Sequence, residues 1–267
     1  MKITRLFIYP IKSCAAVEVE QLTFDQNGPV GDRRYMLVDN NGRFLTQRTL
    51  PAMAHIYPRI EENVLIVDAE GQPTLRVTGQ RAADGGRQLD VSVWKDSLPA
   101  QDCGDEAAAW FEALLGRACR LVQLSDNTQR QVNRKYAEAG EWVGFADGYP
   151  LLVTTEESLD VLSQAVGRPL DMLRFRPNIV LAGAPAFAEQ TWQALNSENG
   201  GLIKITKPCE RCVIPTRDIA TQQREGDMLA VMKQHCLIDG KIIFGQNALA
   251  RKVSQLTIGE LLTPVSE

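Results

Sequence analysis

The chain has 267 residues, with 29 Lys and Arg against 33 Asp and Glu, for a formal net charge of −4 at pH 7. That balance argues against nucleic acid as the main partner, because proteins that bind it usually carry a basic excess, and leaves room only for local basic pockets. Hydrophobic residues make up 44%, enough for one large or two modest domains with full cores, and no run approaches the roughly 20 apolar residues of a membrane-spanning helix.

The first hundred residues read as β structure. Ile3 to Tyr9 is a strand stopped by Pro10, and its apolar run ends at Lys12, short of a signal-peptide core. Val17 to Phe24 alternates with period two, with one slip at Gln21. Two hairpins are predicted. One joins Arg34 to Asp39 with Arg43 to Thr46 across Asn40-Asn41-Gly42; the other joins Val64 to Ala69 with Thr74 to Thr78. Gln88 to Val93 is a strand after a Gly85-Gly86 turn. Many short strands with frequent turns point to a barrel or sandwich.

A helix is predicted from Asp105 to Leu115, with Trp110, Phe111, Leu114 and Leu115 as its apolar stripe and Gly116 as its stop. Cys119 to Leu124 is a strand, and the polar stretch Ser125 to Tyr149 is a loop or linker. A second helix runs from Thr155 or Glu156 to Val166, capped by Thr154 or Thr155 and closed by Gly167. Short buried strands follow at Asn178 to Ala182 and Leu202 to Thr206, then a helix at Glu225 to Gln234. Lys241 to Phe244 and Lys252 to Thr257 are closing strands. The fold class is mainly β with some α (α+β).

Of six cysteines, Cys14, Cys103, Cys119 and Cys236 are scattered and only Cys209 and Cys212 lie close together. In a chain this long that is no disulfide framework, so a reducing, cytoplasmic compartment is expected. Lys207-Pro208-Cys209-Glu210-Arg211-Cys212 sets a thiol beside a guanidinium, which favours the thiolate. Cys209-x-x-Cys212 alone is half of a four-thiolate zinc site. One thiolate offered to a metal that brings its other ligands with it fits the pattern better.

Three further motifs carry anion-binding chemistry beside a plainer reading. In Pro10-Ile11-Lys12-Ser13-Cys14 an ammonium and a hydroxyl on a turn can hold an anion, or the motif is a surface turn. In Gly31-Asp32-Arg33-Arg34, Arg33 can bind phosphate or carboxylate, or form an edge-strand charge pair. In Arg174-Phe175-Arg176-Pro177-Asn178, Pro177 pushes Arg176 towards an extended backbone, and two arginines beside a core strand ask for an anionic partner. There is no Walker A motif and no Gly-x-Gly-x-x-Gly.

These four motifs, in this order, resemble the molybdenum cofactor sulfurase C-terminal (MOSC) proteins, more closely those of the bacterial YcbX type and the mitochondrial amidoxime reducing component. Phe44-Leu45-Thr46-Gln47-Arg48, Phe244-Gly245-Gln246-Asn247 and Ile258-Gly259-Glu260 are similar to that family as well. The resemblance implies a β-rich N-terminal domain over residues 1–120 and a MOSC β-barrel domain over 121–267. It implies a molybdenum cofactor (molybdopterin) whose metal is ligated by Cys212, the residue at the centre of catalysis. Lys12, Ser13, Arg33, Arg176 and Asn178 fall where that family holds pterin and phosphate, and Arg211 joins this set. Thr155 falls at a helix N-terminus, a ready anion site. Cys209 is a supporting or structural residue.

The activity so implied is reduction of N-hydroxylated small molecules. The chain lacks the cysteine series of a plant-type iron–sulfur cluster, so electrons are expected from a separate ferredoxin-like protein or flavoprotein. The polar segment Thr216 to Gly226 is either its docking site or a solvated loop. The alternative is a non-catalytic carrier of cofactor or sulfur, since a fold does not fix a function. No nucleic-acid or membrane partner is expected.

Overall fold

The computed structural model describes residues 1–78, 86–125 and 127–266. Gly85 of the expected turn and Asp126 of the expected loop lie outside the described residues. The larger unit is a nine-stranded sheet. Its main path runs Leu262–Ser266, Trp192–Ser197, Leu202–Glu210, Lys241–Arg251, Leu151–Thr155, Ile179–Ala182, Lys2–Ile8 and Val17–Val19. The sheet curls back on itself. Ile3 N–H donates to Glu260 C=O, Leu262 N–H donates to Met1 C=O, and Lys2 bridges Leu261. Closure of this kind removes unpaired edges.

Alternation along the strands fills the interior. Leu151 and Val153, Ile179 and Leu181, with Leu195, Ile203, Ala248 and Leu262, form one buried cluster. The helices are α1 (Asp105–Leu115), α2 (Glu156–Val166) and α3 (Gly226–Cys236); the opposite face carries Phe7, Val180 and Phe244 against two of them, α2 contributing Leu159 and Leu162 and α3 contributing Met228, Val231 and Met232. Phe175 and Phe244 stack with centroids 3.8 Å apart, so truncating either costs about 3–5 kcal/mol. Gly245 has φ 74°, and a Cβ there would lie 2.7 Å from Val153 C=O. Only glycine fits so close an approach of two strands.

The smaller unit joins a four-stranded sheet (Tyr35–Val38, Arg120–Leu124, Asp96–Asp102, Gln88–Val93) to a three-stranded one (Tyr57–Glu61, Val64–Asp68, Leu75–Thr78). Tyr35–Val38 is buried on both faces, Tyr35 and Leu37 in one cluster and Met36 and Val38 in another. That explains its unbroken apolar run. Helix α1 lays Trp110 and Phe111 on the first of these clusters.

Both predicted hairpins are present, the first closed by Asp39 N–H to Arg43 C=O and Leu45 N–H to Leu37 C=O. Helices α1 and α2 have the predicted bounds, each ended by a left-handed glycine, Gly116 and Gly167. Four strands differ from expectation for physical reasons. Trp192–Ser197, Asp96–Asp102 and Leu262–Ser266 are strands that polar or proline residues hide from a period-two reading. Leu202–Glu210 runs past Thr206 through Pro208, tolerated because the register shifts there. The units interleave in sequence: Lys2–Ile8 belongs to the large sheet, while Arg120–Leu124 pairs with Tyr35–Val38. A division at 120/121 therefore passes through one strand of the small unit. No described helix is long and apolar enough to cross a membrane.

Candidate functional site

A cavity opens where the two units meet, built from several chain segments. The end of Lys2–Ile8 delivers Lys12 and Ser13; the following turn delivers Arg33; the hairpin return delivers Phe44, Gln47 and Arg48. Residues 175–178 and the end of Leu202–Glu210 supply Arg176, Asn178, Cys209, Arg211 and Cys212. Of the eight residues that the family resemblance pointed to, seven line this one cavity, although they span 200 positions of sequence from Lys12 to Cys212.

The wall is strongly cationic for a chain of net charge −4. Lys12, Arg33, Arg48, Arg176 and Arg211 line it, against Asp147 and Glu210. Two cations have resident carboxylates. Lys12 Nζ donates to Asp147 Oδ1 at 2.5 Å and to Phe145 C=O at 2.7 Å. Arg33 Nη1 donates to Asp32 Oδ2 at 2.6 Å. Glu210 turns to Lys241 outside the cavity. Arg48, Arg176 and Arg211 form no ion pair among the described residues.

Each guanidinium is oriented by neutral groups instead. Arg176 Nη1 donates to Cys14 C=O at 2.7 Å, and its guanidinium carbon lies 4.1 Å from the Tyr9 ring centroid. Arg33 lies 4.3 Å from the same ring. Arg211 Nη2 donates to Phe175 C=O at 2.7 Å, and Nη1 donates to Cys209 Sγ at 3.0 Å. Arg48 lies 4.5 Å from the Trp94 ring. Burial lowers the Arg176 and Lys12 pKa values, partly offset for Lys12 by Asp147. Burial works to raise the Asp147 carboxyl, but the Lys12 ammonium and the Trp94 indole N–H outweigh it and hold it well below the usual range.

Backbone strain marks the same residues. Ser13 (φ 67°), Arg33 (φ 46°) and Arg176 (φ 56°) all occupy the left-handed region. The expectation of an extended Arg176 before Pro177 is therefore corrected. A 3-10 turn at Met172–Arg174 leads into it, Arg176 N–H closes on Leu173 C=O, and the Cys14 and Tyr9 contacts hold the side chain. Such strain costs of order 1–3 kcal/mol per residue and clusters at functional sites.

Asn178 reaches the cavity wall but spends its amide on the protein. Nδ2 donates to Phe7 C=O and Asp32 Oδ1, and Oδ1 accepts from Leu152 N–H and Arg33 Nη1. That uses all four of its hydrogen-bonding positions. It fixes Arg33 against Phe7, Leu152 and Asp32. Asp32 completes the hub, accepting also from Tyr9 N–H at 2.8 Å.

Thr155 does not line the cavity. It caps α2, accepting from Ser158 N–H. The helix end that sequence marked as an anion site is filled by the chain itself: Thr155 Oγ1 and Ser158 Oγ both donate to the fully buried Glu189 carboxylate. Cys212 is exposed on the cavity wall and Cys209 is half-buried. The guanidinium expected to favour the Cys212 thiolate rests on Cys209 Sγ instead. Among the described residues no three His, Cys, Asp or Glu side chains gather to hold a metal, so a metal here would bring most of its ligands. Thr216 to Gly226 is a self-bonded loop, with Arg217 Nη1 donating to Gln222 C=O and Asp218 accepting from Thr221.

Residues 1–118 match the family described as MOSC N-terminal beta barrel domain, and residues 140–263 match the MOSC domain. The chain belongs to the MOSC-domain proteins. It is 31% identical to mitochondrial amidoxime reducing component 2 of Homo sapiens, over 81% of this chain and 66% of that one. It is 29% identical to the Bos taurus protein of the same name, over 97% of this chain and 81% of that one. It is 27% identical to the molybdenum cofactor sulfurase of Homo sapiens, over 98% of this chain but only 32% of that protein.

Sequence reasoning missed Asp147, Gln47 and Arg48 as cavity groups, and Trp94 as the residue that contacts Asp147 and Arg48. Asp147 sits in a polar stretch with no periodicity to mark it. The family-like run Phe44 to Arg48 was the available signal for Gln47 and Arg48. Trp94 stands at the tip of a hairpin between Gln88–Val93 and the unforeseen strand Asp96–Asp102.

Proposed function

We propose that this MOSC-domain protein is a molybdenum-cofactor-dependent reductase of N-hydroxylated small molecules, supplied with electrons by a separate ferredoxin-like protein or flavoprotein. The observation that carries it is the pairing of one exposed thiol, Cys212, with guanidiniums that lack carboxylates, Arg176 and Arg211, on one cavity wall. The residues fit an anionic group bearing a metal. Arg211 Nε and Gln47 Nε2 are buried without a hydrogen-bond partner, a shortfall that proteins rarely leave unmet. A soft thiolate suits a metal already held by sulfur.

Molybdopterin, when bound, supplies the two-electron oxygen-removing chemistry. The chain does the rest. Cys212 would ligate the metal and tune it. Arg176, Arg211, Lys12 and Ser13 would hold pterin and phosphate by charge-assisted hydrogen bonds. Arg33 would present its guanidinium from the Asp32–Asn178 hub, and the cavity walls would limit substrate size. Six free cysteines support a reducing, cytoplasmic setting.

The test is molybdenum analysis of chain made in a cofactor-competent host, with an amidoxime assay driven by an artificial electron donor. Molybdenum with turnover supports the reductase. The likeness to a molybdenum cofactor sulfurase keeps a second reading: molybdenum retained without turnover, and released to an apo-acceptor, would make the chain a carrier.

A further inference from the structure

A second cavity shares Gln47, Arg176 and Ile214 with the first and has no role in the reading above. It occupies ≈ 150 Å³ between the 3-10 turn Pro51–His55 and residues 214–222. His55 Nε2 donates to Ile219 C=O at 3.1 Å and ties the two segments together across it. The wall is apolar over Ala15, Ala16, Ala54, Leu173 and Ile219, and no Asp or Glu among the described residues lines it. Its unmet polar atoms are donors. Arg174 Nε, Arg217 Nε and Gln47 Nε2 are buried without a hydrogen-bond partner, on lining residues of which Arg174 is only 6% exposed and Gln47 4%. The Arg174 charge is met by Glu225 at 2.6 Å and by Asp218. Arg176 and Arg217 have no such carboxylate among the described residues; Arg217 Nη1 donates only to Gln222 C=O.

Buried donors in this state are rare in native proteins, and several around one cavity call for an acceptor. Two guanidiniums without carboxylates suit a carboxylate, which accepts forked, charge-assisted bonds from Arg. A cavity of about 150 Å³ takes a single benzene-sized ring. Its alanine and leucine wall suits ring carbon rather than the hydrated oxygens of a free phosphate. We propose that this cavity binds a small apolar carboxylate, with the carboxylate on Arg217 and Arg176 and the ring against Ala15, Ala16 and Ala54, and that the bound ligand weakens the hold on the anion in the first cavity. The link is Arg176, which lines both. With Nη1 already on Cys14 C=O, its remaining donors serve either anion, and the two anions repel one another across it. Such coupling is reciprocal: each ligand lowers the affinity of the other by the same factor. The coupling rests on the cofactor reading above; the site itself does not.

The test uses the full chain as purified from a cofactor-competent host, with two variants. Ala54→Leu fills the apolar end of the cavity and Arg217→Gln removes a cation; thermal melting confirms the fold of each. Calorimetry compares benzoate with its neutral analogue benzyl alcohol and with inorganic phosphate. We expect benzoate to bind at least tenfold more tightly than benzyl alcohol, a difference of about 1.4 kcal/mol, with no heat from phosphate at this site. Arg217→Gln should erase the preference for benzoate, and Ala54→Leu should weaken both ring ligands at least tenfold. Molybdenum retained after dialysis should fall severalfold in the presence of benzoate for the parent and stay unchanged for Ala54→Leu. Equal binding of benzoate and benzyl alcohol, or benzoate binding indifferent to both variants, would overturn the site. Benzoate binding that leaves molybdenum retention unchanged would overturn the coupling. A chain that carries no molybdenum would fail the cofactor reading and the coupling with it, while calorimetry still decides the site.

Discussion

Replacing Arg176 by Ala separates ligand binding from folding. In the cofactor-free protein its guanidinium makes one hydrogen bond, to Cys14 C=O at 2.7 Å, and one cation–π contact, at 4.1 Å from the Tyr9 centroid. These are worth about 0.5–1.5 kcal/mol and about 0.5–2 kcal/mol. Against them stands an enclosed charge without a carboxylate, whose burial lowers its pKa. Ala inherits the same left-handed backbone at φ 56°, so strain is unchanged. The opposing effects leave a net change within about 1 kcal/mol in the cofactor-free chain. Removing the contact to a bound anion, in contrast, costs about 2–5 kcal/mol. Urea unfolding of the cofactor-free proteins should therefore nearly coincide, while molybdenum content and cofactor retention fall at least tenfold in the variant. A loss of more than 3 kcal/mol in the cofactor-free chain, with molybdenum content unchanged, would refute this assignment of Arg176.

Cys212→Ser should abolish amidoxime turnover with an unchanged melting curve, because the side chain is exposed, while Cys209→Ser should retain most turnover and lose only the Arg211 contact. Asp32→Ala should destabilise by about 3–5 kcal/mol in denaturant unfolding, because it strands Arg33 as an uncompensated charge; Asp32→Ala with Arg33→Met should recover part of that loss. Glu189 is a buried carboxyl raised above its ordinary 4.5, first by desolvation. The folded protein thus holds that proton longer, and the contribution is fully present below the ordinary range and lost as pH rises through the raised value. Glu189→Gln should accordingly gain stability relative to the parent as pH rises above the ordinary 4.5, read by unfolding at each pH. Isolated protein should turn over amidoxime with a chemical reductant or an added ferredoxin-like partner but not with NADH alone; NADH-driven turnover by the pure chain would remove the need for a partner.

Helices α1 and α2 were legible because each combines an apolar stripe with a glycine stop, and both end in left-handed Gly116 and Gly167. The hairpins were legible from Asn41-Gly42 and Glu70-Gly71. Strands such as Trp192–Ser197 were not, because their burial depends on partners far away in sequence, here Leu262–Ser266. At the site, motif order located seven cavity residues but not their roles. Asn178 reads as a ligand in sequence, yet all its hydrogen bonds are spent inside the protein. Thr155 was rightly a cap, but nothing local to it shows that Glu189, 34 residues on, fills the helix end. The counter-ion Asp147 lies 135 residues from Lys12, a pairing made when Ile179–Ala182 joins Lys2–Ile8 to Leu151–Thr155 in the sheet.

X-ray absorption at the molybdenum edge, on chain purified from a cofactor-competent host, tests the central claim most directly. We expect stoichiometric molybdenum with a sulfur shell that loses one scatterer in Cys212→Ser and none in Cys209→Ser. Protein without molybdenum, or a sulfur shell indifferent to Cys212, would contradict it.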